Sequence, residues 1–282
     1  MALGSAQMTT TTQANFIPEF WGPFTIVATE AKLVFEPLTW DWTPGLDMKK
    51  GDIIHIPGVS NLTSNAKAAN TQVVLNAPTE DVTNLTVNRH DECSFLLEDI
   101  TKVQASFNLQ QLYTQKAGFA IAQQRDTRIV NLIPSLTQIV GTAGVDIGDQ
   151  QIRDAIELLD LAIAPDEDRH LVLYPTQKNA LWGIEKYFRA DIRGNGVSPV
   201  VNGKFGEIYG INTYVTTNIT TSGAPAARLN VLFQRQWAAT ANQLGVRTQA
   251  DYILEYLGTL VVNDRIYGET TARSTFGVWI RS

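Results

Sequence analysis

The sequence predicts an α+β fold. Three observations carry this expectation: one long helical stretch, β-branched runs that only partly alternate with helical ones, and an excursion over residues 49–88 poor in core-forming side chains. A chain of 282 residues, 44% hydrophobic and 18% charged, is long enough for one large or two smaller domains. The formal charge of -6 comes without a basic block, which argues against wrapping of nucleic acid by clustered Lys and Arg. Cys93 is the single cysteine, so no internal disulfide forms, and its apolar setting (Cys93–Leu97) reads as a buried structural thiol. Residues 1–14 have no basic n-region and no apolar core, and no window approaches the ~18 apolar residues of a membrane span, so neither a signal peptide nor a membrane partner is expected. The sequons at Asn61, Asn84 and Asn218 read as coincidence in a chain rich in Thr and Asn.

In chain order, residues 1–18 read as a flexible arm. Phe16, Phe20, Trp21, Phe24, Phe35, Trp40 and Trp42 follow closely, interrupted by Pro18, Pro23 and Pro37. That pattern predicts an extended segment with a short helix near Thr25–Val34 and aromatic anchors that dock on the core or on a neighbour. Pro44-Gly45 marks a turn. Asp52–Pro57, Thr71–Leu75 and Val82–Val87 read as strands, with the polar loop Gly58–Asn70 between the first two. Leu85 and Val87 share one face, Asn84 and Thr86 the other. An isolated hairpin is marginal in water and its edge invites pairing, so the excursion is expected either to pack on the body or to be completed by a neighbouring subunit, and its polar tip favours the neighbour.

Asn88–Ile100 returns as a strand, and Asn108–Ile133 reads as one helix of roughly 39 Å. Asn108 is its expected N-cap; Leu109, Leu112, Tyr113, Ala117, Ala120 and Ala122 form its stripe. Arg125 and Arg128 suit its C-terminal dipole, and Pro134 ends it. Ala117, Gly118, Ala120 and Ala122 narrow one face for close packing. After the Gly141–Gly148 connection, a helix is expected over Ile152–Ala164, with Ile152, Ile156, Leu159 and Ile163 on one stripe and Pro165 as its stop. A buried strand over Arg169–Pro175 and a helix over Thr176–Tyr187, capped by Thr176, come next. Beyond the glycine-rich Gly194–Gly210, strands are expected at Ile211–Asn218, Asn230–Phe233, Asp251–Val262 and Thr275–Ile280.

Chemical motifs are weak. His55, His90 and His170 lie far apart, none at metal-ligand spacing from a Cys, Asp or His. No G-x-S-x-G elbow is present, and Gly196–Lys204 has the wrong spacing for a phosphate loop. Asp166-Glu167-Asp168 follows a helix-ending proline and reads as a solvated loop. No catalytic, metal or cofactor site is expected.

The order of the pieces is more specific than any one of them. Phe16–Trp21, Lys50–Pro57, Phe95–Ile100 with the long helix after it, Leu159–Pro175, Gly203–Ile211, Val215–Asn218 and Tyr267-Gly268 together resemble the tailed-phage major capsid protein of the Hong Kong 97-like fold, over nearly the whole chain from Phe16. That resemblance implies an N-terminal arm (1–48), an extended β-hairpin loop (49–88), a peripheral domain with a long spine helix (89–148 and 241–266) and an axial domain (149–240 and 267–282). It implies a non-enzymatic protein that self-assembles, as hexamers and pentamers, into the icosahedral shell around packaged double-stranded DNA, without sequence-specific DNA binding. The expected setting is the virion, assembled in the host cytoplasm. Expected inter-subunit contacts are Phe16, Phe20, Trp21, Gly51, Ile53, Ile54, Gly58, Val73, Leu75, Leu85 and Val87, with Gly51 and Gly58 as loop hinges. Only about fifteen residues precede the resemblance, too few for a fused scaffolding segment. A separate scaffolding protein, a portal and a decoration protein are the further partners implied. Two alternatives are a nanocompartment shell of the encapsulin type, which encloses enzymes, and a hydrolytic enzyme using Asp166–Asp168.

Overall fold

The computed structural model describes residues 33–43, 53–100, 109–188 and 206–282. Phe16, Phe20, Trp21, Gly51, the cap at Asn108 and residues 194–205 of the glycine-rich stretch lie outside the described residues, as does most of the helix expected at Thr25–Val34. Its last two residues, Leu33 and Val34, are not helical; the first described helix is α1, Phe35–Leu38.

Two sheets organise the described chain. The first joins β1 (Trp40–Asp41), β12 (Ala238–Ile253), β13 (Gly258–Thr271) and β4 (Arg89–Glu98), in that order. β12 and β13 form one long antiparallel hairpin with bulges near Leu244. The run Asp251–Val262, expected as a single strand, is instead the two arms of this hairpin and the turn Leu254–Leu257 between them. Helix α2 (Leu109–Val130) lies on β4 and β13. Its buried stripe is Ala117, Ile121, Arg125 and Ile129, a four-residue repeat. Tyr113 and Ala120, expected on the stripe, are exposed. Among the described residues nothing lies within 4 Å of a Cβ built at Gly118, so of the small residues expected to pack closely only Ala117 is buried. The helix ends at Val130, and Pro134 sits in a separate 3-10 turn, Ile133–Ser135.

The second sheet runs β5 (Gln138–Gly141), β14 (Gly277–Arg281), β11 (Asn230–Gln234), β6 (Arg169–Leu173), β8 (Ile211–Val215), β7 (Glu207–Ile208). β11 and β6 lie inside it and are buried at every position, which explains their lack of alternation. Helix α3 (Asp149–Leu161) covers one face with Ile152, Ala155 and Leu159. It stops at Leu161, because the chain turns left-handed at Ile163; that side chain faces solvent instead of extending the stripe. The helix expected at Thr176–Tyr187 is two, α4 (Pro175–Trp182) and α5 (Glu185–Phe188), broken at Gly183. Pro175 is its first residue and Tyr174 occupies the cap position, so Thr176 is not the cap.

β2 (Ile53–Val59) and β3 (Glu80–Thr86) form a separate two-stranded sheet, in register from Ile53↔Thr86 to Val59↔Glu80, and β9 (Thr221–Ser222) pairs with β10 (Ala227–Arg228) in another. The connection 60–79 is neither helix nor strand. Thr71–Leu75, expected as a strand, pairs with no strand among the described residues. Val73, Val74 and Leu75 are consequently 60%, 69% and 87% exposed.

Candidate functional site

The candidate site is a set of surfaces built around the β2–β3 hairpin. Alternation along the two strands turns Ile54, Ile56 and Leu85 inward, and Val87 follows on the same face. They form a small core with Ala239 and Ala241 of β12, where the alanines let the hairpin lie close. The root of the hairpin crosses β13 at Gly268, where a Cβ would stand 2.3 Å from the Thr86 carbonyl oxygen. Ile53, Val59, Val73 and Leu75 face outward and are at least 46% exposed. The connection is tied at its neck by the Ser60 amide donating to the Thr79 carbonyl, 3.3 Å. Farther out, the Asn65 amide group donates to Asn76 Oδ1, 3.1 Å.

Of the expected contact residues, Ile53, Val73 and Leu75 are thus open, while Ile54, Leu85 and Val87 are buried within their own chain. Gly58, expected as a hinge, is a strand residue paired with Asp81 at negative φ, so its position there makes no use of glycine's freedom.

A second set of residues fixes the segment that precedes the hairpin. Asp126 of α2 is fully buried and accepts from the amides of Phe35 (2.7 Å) and Glu36 (3.3 Å) and from Asn218 Nδ2 (2.9 Å). It caps α1 from another helix. Burial pushes its carboxyl up, and these hydrogen bonds oppose the rise. Beside it, Arg125 Nη1 donates to Glu36 Oε1 and Asn242 Oδ1, both at 2.6 Å, and Arg265 Nη2 donates to the same Glu36 oxygen at 2.7 Å. Sequence reasoning placed Arg125 at a helix dipole; its actual partners are far away in the chain and carried no local signal.

The turn Leu254–Leu257 presents Leu254, Tyr256 and Leu257 at 77%, 61% and 64% exposure. Between β4 and α2 lies a cleft of about 340 Å³, lined by His90, Glu92, Cys93 and Gln124 among others. On the sheet's other charged positions, Arg247 grips Asp264 through two hydrogen bonds (2.8 and 2.6 Å), which holds that carboxyl down to about 2. His90 Nε2 lies 3.1 Å from the same carboxylate, and His55 Nδ1 lies 2.7 Å from Asn84 Oδ1.

His170 differs. It is buried on β6 between the rings of Tyr214 and Phe233, and its Nδ1 has no partner among the described residues. Burial pushes its pKa below 6.5, Asp168 opposes, and Arg235 adds to the fall. The unfolded chain therefore takes up a proton that the folded chain refuses. Stability is full above pH 6.5 and is lost as pH falls toward the depressed folded value, at up to ~1.4 kcal/mol per pH unit. Chemical unfolding at pH 7 and pH 5 checks this: His170→Gln is expected to flatten that difference, and an unchanged slope would contradict the assignment.

The acidic loop Asp166–Asp168 is tied to the end of α3 through Arg169. Arg169 binds Asp160 (2.7 Å) and Asp166 (2.8 Å) while its Nη2 also donates to the Ala164 carbonyl. The loop is a braced connection between α3 and β6. Among the described residues, no group of three or more His, Cys, Asp or Glu could hold a metal ion, and no helix is long and apolar enough to cross a membrane.

Several solved structures are similar. One from Mycobacterium phage Che8 shares 25% identity and a TM-score of 0.82, covering 94% of this chain and 97% of that one. The capsid of cyanophage P-SCSP1u shares 16% identity and a TM-score of 0.80, covering 99% and 96%. The mature capsid of bacteriophage PhiM1 shares 11% identity and a TM-score of 0.73, covering 94% and 91%. No family model and no curated protein matches the chain. The fold is that of phage capsid subunits.

Proposed function

We infer that this chain is the major capsid protein of a tailed bacteriophage, whose work is self-assembly into the icosahedral shell of the virion. The observation that carries this is the likeness to phage structures over nearly the full length of both chains. A role through surfaces, not through a reaction, suits a chain whose open features are apolar side chains on a hairpin, a turn and a loop.

In this reading α2 is the spine helix and the four-stranded sheet is the peripheral part. The six-stranded sheet is the axial part. This reading assigns β5, which pairs with β14 in the six-stranded sheet, to the axial part, and all of β13, to Thr271, to the peripheral part. The β2–β3 hairpin and its connection are the extended loop, laid across a neighbouring copy through Ile53, Val73 and Leu75. The arm, with Phe16, Phe20 and Trp21, reaches another copy. Weak single contacts of this kind suffice, because each subunit in a closed shell makes many. Hexamers and pentamers, a separate scaffolding protein, a portal and a decoration protein complete the assembly. A charge of -6 suits a wall that encloses DNA without gripping it.

The chain expressed with its scaffolding partner is expected to give closed shells, or five- and six-membered rings, in negative-stain images. Only monomers over a wide concentration range would count against the reading.

A further inference from the structure

The carboxylate of Asp149, the first residue of α3, collects donors from three elements. The hydroxyls of Tyr187 on α5 and of Tyr209 in the β7–β8 turn both donate to its Oδ1. Lys186 Nζ, also on α5, lies 3.3 Å from Oδ2, and Arg153 Nε, one turn along α3, lies 3.2 Å from the same oxygen. Lys186 Nζ donates to the Tyr209 hydroxyl as well and stands 4.7 Å from the centre of its ring. Burial pushes the Asp149 carboxyl up, but Tyr187, Tyr209 and Lys186 together outweigh it and hold it below the ordinary carboxylate range. The group is therefore charged at neutral pH, where each of these donors stays engaged.

The residue at the turn shows what the cluster holds in place. Tyr209-Gly210 joins β7 to β8 with both residues at positive φ, 53° and 76°, as a type I′ hairpin turn requires. Asn or Asp is the ordinary first residue there, and a bulky ring at positive φ is strained. Tyr209 is 45% exposed, so core packing does not explain its presence. Its bonds to Asp149 and Lys186 do.

The elements tied together are weak by themselves. α5 is four residues long, too short to persist alone, and β7 is a two-residue strand at the sheet edge. In the sequence, residues 189–205 leave the described fold at α5 and rejoin it just before β7. One carboxylate thus holds the places where that segment departs and returns.

We propose that Asp149 is a positioning residue for contacts between copies: it fixes the points where residues 189–205 leave and rejoin the fold, so that every subunit offers that segment to a neighbour in the same place. That the receiver is a second copy rests on the capsid reading; the holding by Asp149 does not.

The test uses the full chain and two variants. Asp149→Asn keeps the shape and removes the charge. Its amide hydrogen exchange at Lys186–Phe188 and Glu207–Asn212 is expected to quicken about tenfold or more, with Arg169–Leu173 unchanged. Tyr209→Asn gives the turn its favoured residue and drops the tie to Asp149. Its Tm is expected to stay level or rise, while the yield of shells, or of rings of five and six subunits, falls about tenfold or more. A purely structural role would keep yield in step with Tm. Unchanged exchange in Asp149→Asn overturns the holding, and a normal particle yield from Tyr209→Asn overturns the positioning. An intact chain that forms no particles sinks the capsid reading and the presentation to neighbours with it; the exchange result then decides the holding by itself.

Discussion

Replacing Asp126 by alanine is expected to destabilise the folded chain by about 3–5 kcal/mol. The change removes one side chain yet strands several donors: the Phe35 and Glu36 amides and Asn218 Nδ2 all lose their acceptor in a site closed to water. A buried donor left unpaired costs about 1–3 kcal/mol, and Phe35 and Asn218 are both buried. The neighbouring Arg125–Glu36–Arg265 contacts hold the same segment and share its fate, so the losses will not add simply. Urea unfolding measures the effect. Asp166→Ala is the control, since its carboxylate is 91% exposed and its pairing with Arg169 is worth ~1 kcal/mol at most. Limited proteolysis adds a local readout: Phe35–Thr43 should become cleavable in Asp126→Ala. A loss no larger than that of Asp166→Ala would show that the capping of α1 is incidental.

Gly268→Ala is expected to cost about 3 kcal/mol or more and to act at one place, the root of the extended hairpin. The added Cβ would meet backbone, which does not swing aside: Thr86 O at 2.3 Å, Thr86 C at 2.9 Å and Val87 Cα at 2.9 Å. Relief requires β3 to lift from β13, which opens the small core of Ile54, Ile56, Leu85 and Val87 over Ala239 and Ala241. Gly118→Ala is the matched control. It lies in a helix with nothing within 4 Å of the new carbon, and is expected to be stabilising by ~0.5–1 kcal/mol. Unfolding midpoints and hydrogen exchange at Leu85–Val87 distinguish the two. Equal effects at Gly268 and Gly118 would refute the close approach.

Much of the fold was legible because local patterns agreed with it. The apolar runs at Arg169–Leu173 and Asn230–Gln234 are interior strands, and the long helix is present with its end moved by a few residues. The β12–β13 hairpin was missed for a physical reason: its turn, Leu-Glu-Tyr-Leu, holds no Gly, Asn, Asp or Pro, and Leu257 takes φ 44° in their place. Ile163 was read as core for the same kind of reason, since spacing cannot reveal that the chain has already turned left-handed. The packing of the hairpin was half legible. Alternation assigned Leu85 and Val87 to one face but not to the chain's own core, because Ala239 and Ala241 lie far along the sequence. Thr71–Leu75 shows the converse: its composition favours a strand, yet it pairs with no strand among the described residues.

That unpaired stretch leads to the decisive measurement. Residues 61–78 are replaced by a short Asn-Gly turn, which keeps β2 and β3 in register. The particle mass of each protein is then read by light scattering with negative-stain imaging. The intact chain is expected to give shells, or rings of five and six subunits. The shortened chain is expected to give a folded subunit with an unchanged unfolding midpoint that no longer assembles. Normal shells from the shortened chain would contradict the role given to the loop, and an intact chain that stays monomeric would contradict the capsid assignment itself.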